Sequence, residues 1–196
     1  MRLDRHVVAT LPVGRSRYQV LAVTGRFQPF HNDHLGLVRY ALARAERVVI
    51  GITNPDPATR QAHPASEHRH LPSANPFSYT QRRELIEVAL LADGGERNRF
   101  DIVPFPLEEP AQWPSILPFG TPQLVRVFSD WEREKARRFE AAGYPVFVLQ
   151  GNVACRISAS DIRAAMAKRE QWQHWVPPGA RELLASWELC SPGACE

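Results

Sequence analysis

His31 and His34 are the side chains of this sequence best placed to do chemistry. They stand at what reads as the start of an amphipathic helix, and the i, i+3 spacing turns both imidazoles toward one side of its first turn. Just upstream, Gly25-Arg26-Phe27-Gln28-Pro29-Phe30 reads as a turn after the apolar run Tyr18–Thr24. Strand, turn and helix in that order gather unpaired backbone N–H groups and the positive end of a helix dipole around one point. Such a point holds phosphate, and Arg26 adds a cation beside it. Far downstream, Ile157-Ser158-Ala159-Ser160-Asp161-Ile162-Arg163 reads as a second helix start, capped by Ser158 or Ser160. Hydroxyl, imidazole and guanidinium donors without a pair of acids suit reactions driven by positioning and charge stabilisation, with no strong general base.

These two segments carry a family resemblance. Gly25-x-Phe27-x-Pro29-x-His31-x-Asp33-His34 resembles the G-x-F-x-P-x-H-x-G-H signature of the nucleotidylyltransferase superfamily, and Ile157–Arg163 resembles its I-S-S-T-x-I-R segment. From Gly25 to Leu184 the chain is similar to archaeal-type nicotinamide mononucleotide adenylyltransferases, including Asn75-Pro76-Phe77, Phe139–Tyr144 and Trp172…Val176-Pro177. It departs from them in a proline- and histidine-rich insertion after Ile52 and in Ser129-Asp130-Trp131-Glu132-Arg133-Glu134-Lys135. There, and at Gly51–Pro57, it looks more like the cytidylyltransferase domains of phosphonate antibiotic pathways, which link CMP to a small phosphonate. Asp33 stands where the superfamily has glycine, and is read as capping the helix or contacting acceptor or metal.

The resemblance implies an enzyme that moves a nucleoside monophosphate from CTP or ATP to a phosphonate or phosphate acceptor and releases pyrophosphate. His31, His34 and Arg26 are then catalytic. Gly25, Phe27, Ser129, Asp130, Ile157, Ser158, Ser160 and Arg163 bind nucleotide, the second segment taking the β and γ phosphates. Ser129 and Asp130 also read as a plain helix cap. Thr53, Asn54, Asn75, Trp113 and Trp131 are the acceptor-binding candidates. Mg2+ is the expected cofactor, held mainly by the phosphates, with few protein ligands. Cytidylyl transfer to a phosphonate such as 2-hydroxyethylphosphonate comes first. Adenylyl transfer to nicotinamide or nicotinate mononucleotide is the alternative. A catalytically silent, nucleotide-binding regulatory domain, its site spoiled by Asp33, is the reading from another class.

The elements that must position these residues follow from the pattern. The chain has 196 residues, 44% of them apolar and 23% charged, enough for one domain with a real core. A net charge of +3 with no basic stripe gives no ground for nucleic-acid binding. No run is long and apolar enough for a membrane span, and the first residues lack a signal-peptide core. Cys155, Cys190 and Cys195 have no metal spacing, so a reduced, cytoplasmic setting is expected. A homo-oligomer is left open. After a frayed lead-in over 1–16, strands are expected at 18–24, 47–53, 100–105, 123–128 and 144–149. The first helix is expected to carry Leu35, Val38, Leu42 and Ala45 on one stripe and to end near Glu46. Ser78–Gln81 reads as a capping box opening a helix through Leu90. Alternating β and α elements predict an α/β fold, a Rossmann-like doubly wound parallel sheet, with a core over about 18–168 and a small C-terminal helical segment over about 169–188. Residues 54–76 lose all periodicity and are read as a cationic lid or plain disorder. Their histidines, His63, His68 and His70, share no spacing that fixes a metal. The proline-rich stretch 106–122, with Trp113 and Phe119, is read as lining an acceptor pocket or covering the sheet.

Overall fold

A computed structural model describes residues 18–62, 64 and 69–188. The expectations for 1–16, His63, His68, Cys190 and Cys195 lie outside the described residues. In chain order the elements are β1 (Tyr18–Gly25), α1 (Asn32–Leu42), β2 (Ala45–Thr53), α2 (Tyr79–Ala92), β3 (Phe100–Phe105), α3 (Trp113–Ile116), β4 (Gln123–Val127), α4 (Asp130–Ala141), β5 (Val146–Gln150), α5 (Ala159–Ala167) and α6 (Pro178–Glu188). Five parallel strands lie in the order β3-β2-β1-β4-β5. The chain winds outward from β1 through β3, crosses back, and winds the other way through β4 and β5. The expected doubly wound sheet is present, with its reversal between β1 and β4, where open α/β sheets bind ligands.

β1 and β2 are buried on both faces because both are nearly continuous apolar runs. Leu21 and Val23 point into one core with Val38, Leu85, Ile162 and Leu184; Ala22 points into the other with Phe105, Trp113 and Phe139. α1, α2, α5 and α6 cover the first face, while α3 and α4 cover the second. Two boundaries differ from expectation. α1 stops at Leu42, and Ala45 is already a strand residue paired with Tyr18. The Arg99 guanidinium takes the carbonyls of Leu42 at 2.9 Å and Ala45 at 2.8 Å, capping the helix end and fixing the tight turn into β2. β5 begins at Val146 because Gly143 (φ +81°) ends α4 in the left-handed conformation and Tyr144 packs against Phe139 and Trp113.

Trp113 is wholly buried, its ring against Phe105 and Phe139 and its Nε1–H donated to the Pro106 carbonyl at 2.9 Å. The proline-rich stretch therefore covers the sheet. Trp113 is a core residue, not an acceptor contact. No helix among the described residues is long and apolar enough to cross a membrane.

Candidate active site

The turn after β1 is shaped by one aromatic ring. Phe27 sits at φ 52°, a left-handed conformation costly for a bulky residue, with its ring folded back over Gly25. A Cβ on Gly25 would lie 2.8 Å from that ring, so glycine is required here by Phe27. The ring then meets Phe30 and the edge of His34, with centroids 5.7 and 4.9 Å away. His34 stacks on His31 at 3.6 Å, and its Nδ1 accepts the His31 backbone N–H at 3.3 Å. That bond leaves the His34 proton on Nε2. Burial, followed by neighbouring His31 and Lys135, holds His34 well below the usual imidazole range. Burial, with Arg156 and Arg126 nearby, pushes His31 down to about 3. Both rings are neutral hydrogen-bond donors at physiological pH, and the His31 Nδ1 is buried without a partner.

Asp33 does not cap α1, because His31 occupies the N-cap position. The Asp33 carboxylate accepts the backbone N–H of Ile157 at 2.9 Å, tying the first signature to the second. Arg126 holds it from the other side, donating to the Asp33 carbonyl at 3.1 Å with its guanidinium 3.9 Å from the carboxylate. Ser158 caps α5, its hydroxyl accepting the Ser160 N–H at 3.2 Å. Arg163 is placed otherwise than expected. It lies outside the cleft lining, donating to the carbonyls of Gln28 at 2.6 Å and Ala159 at 3.2 Å and to the Ser160 hydroxyl at 3.2 Å. Its position makes it a fastener of α5 to the signature turn.

Between these helix starts, β1 and β4 share a single register pair, Ala22 with Gln123, and then diverge. The divergence opens a cleft of about 550 Å³. Gly25, Arg26, Phe27, His31, His34, Thr53, Ser129, Trp131, Ile157, Ser158 and Ser160 all line it, so the structure brings most of the expected residues together. Lys135 enters from α4 and donates to the Thr24 carbonyl at 2.9 Å, taking the place of a ladder partner that β4 no longer supplies. Burial brings its ammonium down to about 8. Arg26, whose guanidinium is brought to about 9 by burial and by Arg69, Arg163 and Arg82, donates to the carbonyls of Arg69 and Ala74. Arg69, Arg126 and Arg156 complete the cationic lining. The two carboxylates there are engaged. Asp33 holds Ile157, and Glu132 accepts both the N–H (2.8 Å) and the hydroxyl (2.6 Å) of Ser129. Burial alone would raise Glu132, but the Ser129 bond, Arg69 and Lys135 outweigh it and keep the group below the usual carboxylate range.

Two more expectations are corrected. Asp130 follows the cap as the first residue of α4, leaves its side chain 88% exposed and pairs with Arg133, outside the cleft. Asn75 is buried and donates to the carbonyls of Arg69 and Leu71, so it shapes the loop and does not line the site. Asn54 (φ 52°) reaches only a side pocket of about 10 Å³, shared with Arg26, Thr53, Arg69 and Trp131. Arg82 organises this corner. Completely buried, it donates to the carbonyls of Ser78, Arg26, Thr53 and Asn54 at 2.8–3.2 Å.

Sequence reasoning missed Lys135, Arg69, Arg126 and Arg156. One signal was available for Lys135: with Trp131 and Phe139 it repeats every four residues, which marks the inward stripe of α4. Its protonation makes a sharp expectation. In the free protein kcat/KM should fall as pH rises above about 8, where the ammonium is lost. Stability should move the other way. The folded state binds fewer protons than the unfolded chain between about 8 and 10.5, so this group's contribution to stability rises with pH over that window. In Lys135→Met the alkaline limb of the kcat/KM profile should vanish; a retained limb would assign it to another group.

The fold and site define a class of protein. Residues 22–165 match the cytidylyltransferase-like family model, and the chain belongs to that family. It is 36% identical over 165 residues to the phosphonoformate cytidylyltransferase of Streptomyces viridochromogenes, covering 83% of this chain and 88% of that one. It is 27% identical over 161 residues to the nicotinamide-nucleotide adenylyltransferase of Thermococcus onnurineus, covering 82% and 79%. Both relatives are nucleotidyltransferases by name, and this chain is a nucleotidyltransferase. Among solved structures, a bifunctional NMN adenylyltransferase/ADP ribose pyrophosphatase from Francisella tularensis shares the fold. Its TM-score is 0.68 at 18% identity, covering 89% of this chain and 51% of that one, so the chain spans about half its length.

Proposed function

We propose that the protein transfers the cytidylyl group of CTP to a small phosphonate, phosphonoformate ahead of 2-hydroxyethylphosphonate, and releases pyrophosphate. The observation that carries this reading is the charge of the cleft: Arg26, Arg69, Arg126, Lys135 and Arg156 face two carboxylates that are already engaged. A site so cationic suits a triphosphate together with an acceptor that is itself highly charged. The relative from Streptomyces, named for phosphonoformate, supports the choice of acceptor.

In this reading the start of α1 holds the α-phosphate, with the Nε2–H of His34 and the ring of His31 donating to its oxygens. Arg156, Ser158, Ser160 and the first turn of α5 hold the β and γ phosphates. A phosphonate oxygen attacks the α-phosphorus, the bond from that phosphorus to the bridging oxygen breaks, and its electron pair leaves with pyrophosphate. The nucleophile is already ionised at neutral pH, so no proton has to move. The neutral imidazoles are suited to stabilising added negative charge in the transition state and take no part as bases. In this reading magnesium enters with the triphosphate and is held mainly by its phosphates.

Adenylyl transfer to nicotinamide mononucleotide is the second reading, supported by the relatives at 27% identity. Pyrophosphate release with magnesium, from CTP and ATP separately, each against phosphonoformate and nicotinamide mononucleotide, decides between them. Turnover with CTP and phosphonoformate is expected. Turnover only with ATP and the mononucleotide would install the second reading, and nucleotide binding without turnover in any combination would make this a regulatory domain.

A further inference from the structure

An arginine from the irregular segment before α2 lines the cleft beside α4. Arg69 lies over the Trp131 indole, its Cζ 4.6 Å from the ring centroid, within cation–π range. Arg138 lies over the same ring at 5.7 Å. Three polar contacts hold Arg69 in place. Its guanidinium is 3.7 Å from the Glu132 carboxylate, and its carbonyl accepts from Arg26 at 3.3 Å and Asn75 at 2.7 Å. Glu132 is itself bound to Ser129, and at 3.7 Å it stands beyond hydrogen-bond distance of the guanidinium. Arg69 also borders a small side pocket of about 10 Å³. A heterocyclic base on an acceptor would need the indole face that Arg69 covers. An acceptor with a second anionic group next to its phosphorus would instead meet the planar fork of Arg69, which matches a carboxylate.

On these grounds, and resting on the cytidylyl-transfer reading above, we propose that Arg69 is the acceptor-specificity residue. It binds the second anionic group of a small phosphonocarboxylate and bars base-bearing acceptors from Trp131. The side chain would touch the acceptor through that second group, so its removal acts on acceptor choice more than on the nucleotide.

The test compares wild type, Arg69→Ala and Arg69→Lys with two acceptors of the same phosphonate chemistry. Phosphonoformate has the carboxylate, and methylphosphonate lacks it. Wild type should prefer phosphonoformate in kcat/KM. Arg69→Ala should lose about 30-fold or more with phosphonoformate and less than about 3-fold with methylphosphonate, the size expected for one lost charge-assisted contact. Arg69→Lys should recover part of the loss. Unchanged CTP affinity and an unchanged melting temperature would show that the variant is folded with its nucleotide end intact. An equal loss with both acceptors, or no loss with either, would overturn the assignment. Calorimetric binding of each phosphonate to the three proteins separates this inference from the parent reading. If wild type binds phosphonoformate without turning it over, the transfer reading fails while the contrast between variants still judges Arg69. If wild type does not bind phosphonoformate more tightly than methylphosphonate, the Arg69 assignment fails on its own.

Discussion

Replacing His34 with alanine is expected to lower kcat by about 100-fold or more, the loss seen when one preorganised transition-state donor is removed. The imidazole is neutral, its Nδ1 is occupied by the His31 N–H, and so its single proton sits on Nε2 of a ring that lines the cleft. A donor fixed in that way needs no reorientation as charge builds on the transferring phosphoryl group. Because His34 is packed against Phe27, Phe30 and His31, alanine also leaves a small void, and the melting temperature must be followed beside the rate. A cooperative unfolding transition with lost turnover is the expected pair of results. Near-normal kcat would remove His34 from the mechanism. The wild-type rate should show no acid limb near pH 6.5 from either histidine, since burial holds both below that value in the free protein.

The largest effect on stability is expected at Arg82. Arg82→Met should cost about 3–5 kcal/mol, because several buried carbonyls lose their donor at roughly 1–3 kcal/mol each. The guanidinium is charged at neutral pH, its value brought to about 10 mainly by burial, and it has no carboxylate partner in the bonds described. It neutralises backbone carbonyls instead. Those of Arg26, Thr53 and Asn54 lie where β1 and β2 end, and methionine would leave them buried without a donor. Urea unfolding of the two proteins measures the difference directly, and a loss under about 1 kcal/mol would mean that water takes over these carbonyls. Arg82→Lys should fall between, because one ammonium cannot span the same set of acceptors.

Most of the fold was legible because its strands are continuous apolar runs and its helices open on recognisable caps. Ser78–Gln81 and Ser129–Glu132 both form reciprocal caps in the structure. The start of β2 was misread because Arg99, far away in sequence, supplies the cap that ends α1. The half of the site around the start of α1 was legible for a related reason: turn and helix start are contiguous, so Gly25–His34 is one local object. The acceptor half is not local. Arg69 is seated by the side chains of Arg26 and Asn75, which donate to its carbonyl, and nothing in the spacing of a proline-rich segment encodes that seat. Trp113 was misplaced because the four residues of α3 are too few to show which face is buried. Asp130 and Lys135 exchange importance once the cap at Ser129 sets the phase of α4, turning the first residue outward and the stripe of Trp131, Lys135 and Phe139 inward.

β1 is the first of the described strands to be synthesised, yet it ends in the middle of the sheet. Its neighbour β2 follows at once through α1, whereas β4 emerges only after β3 and the proline-rich stretch. Until then one edge of this strand carries unpaired N–H and C=O groups, and the turn after it exists without Lys135 or α5 to face it. α6 then returns to pack on α2, with Gly179 lying so close to Ala92 that no side chain would fit. On a ribosome, therefore, nucleotide cannot rescue an early intermediate. The binding cleft is a late product of translation, and the interval between β1 and β4 is the stage most exposed to aggregation.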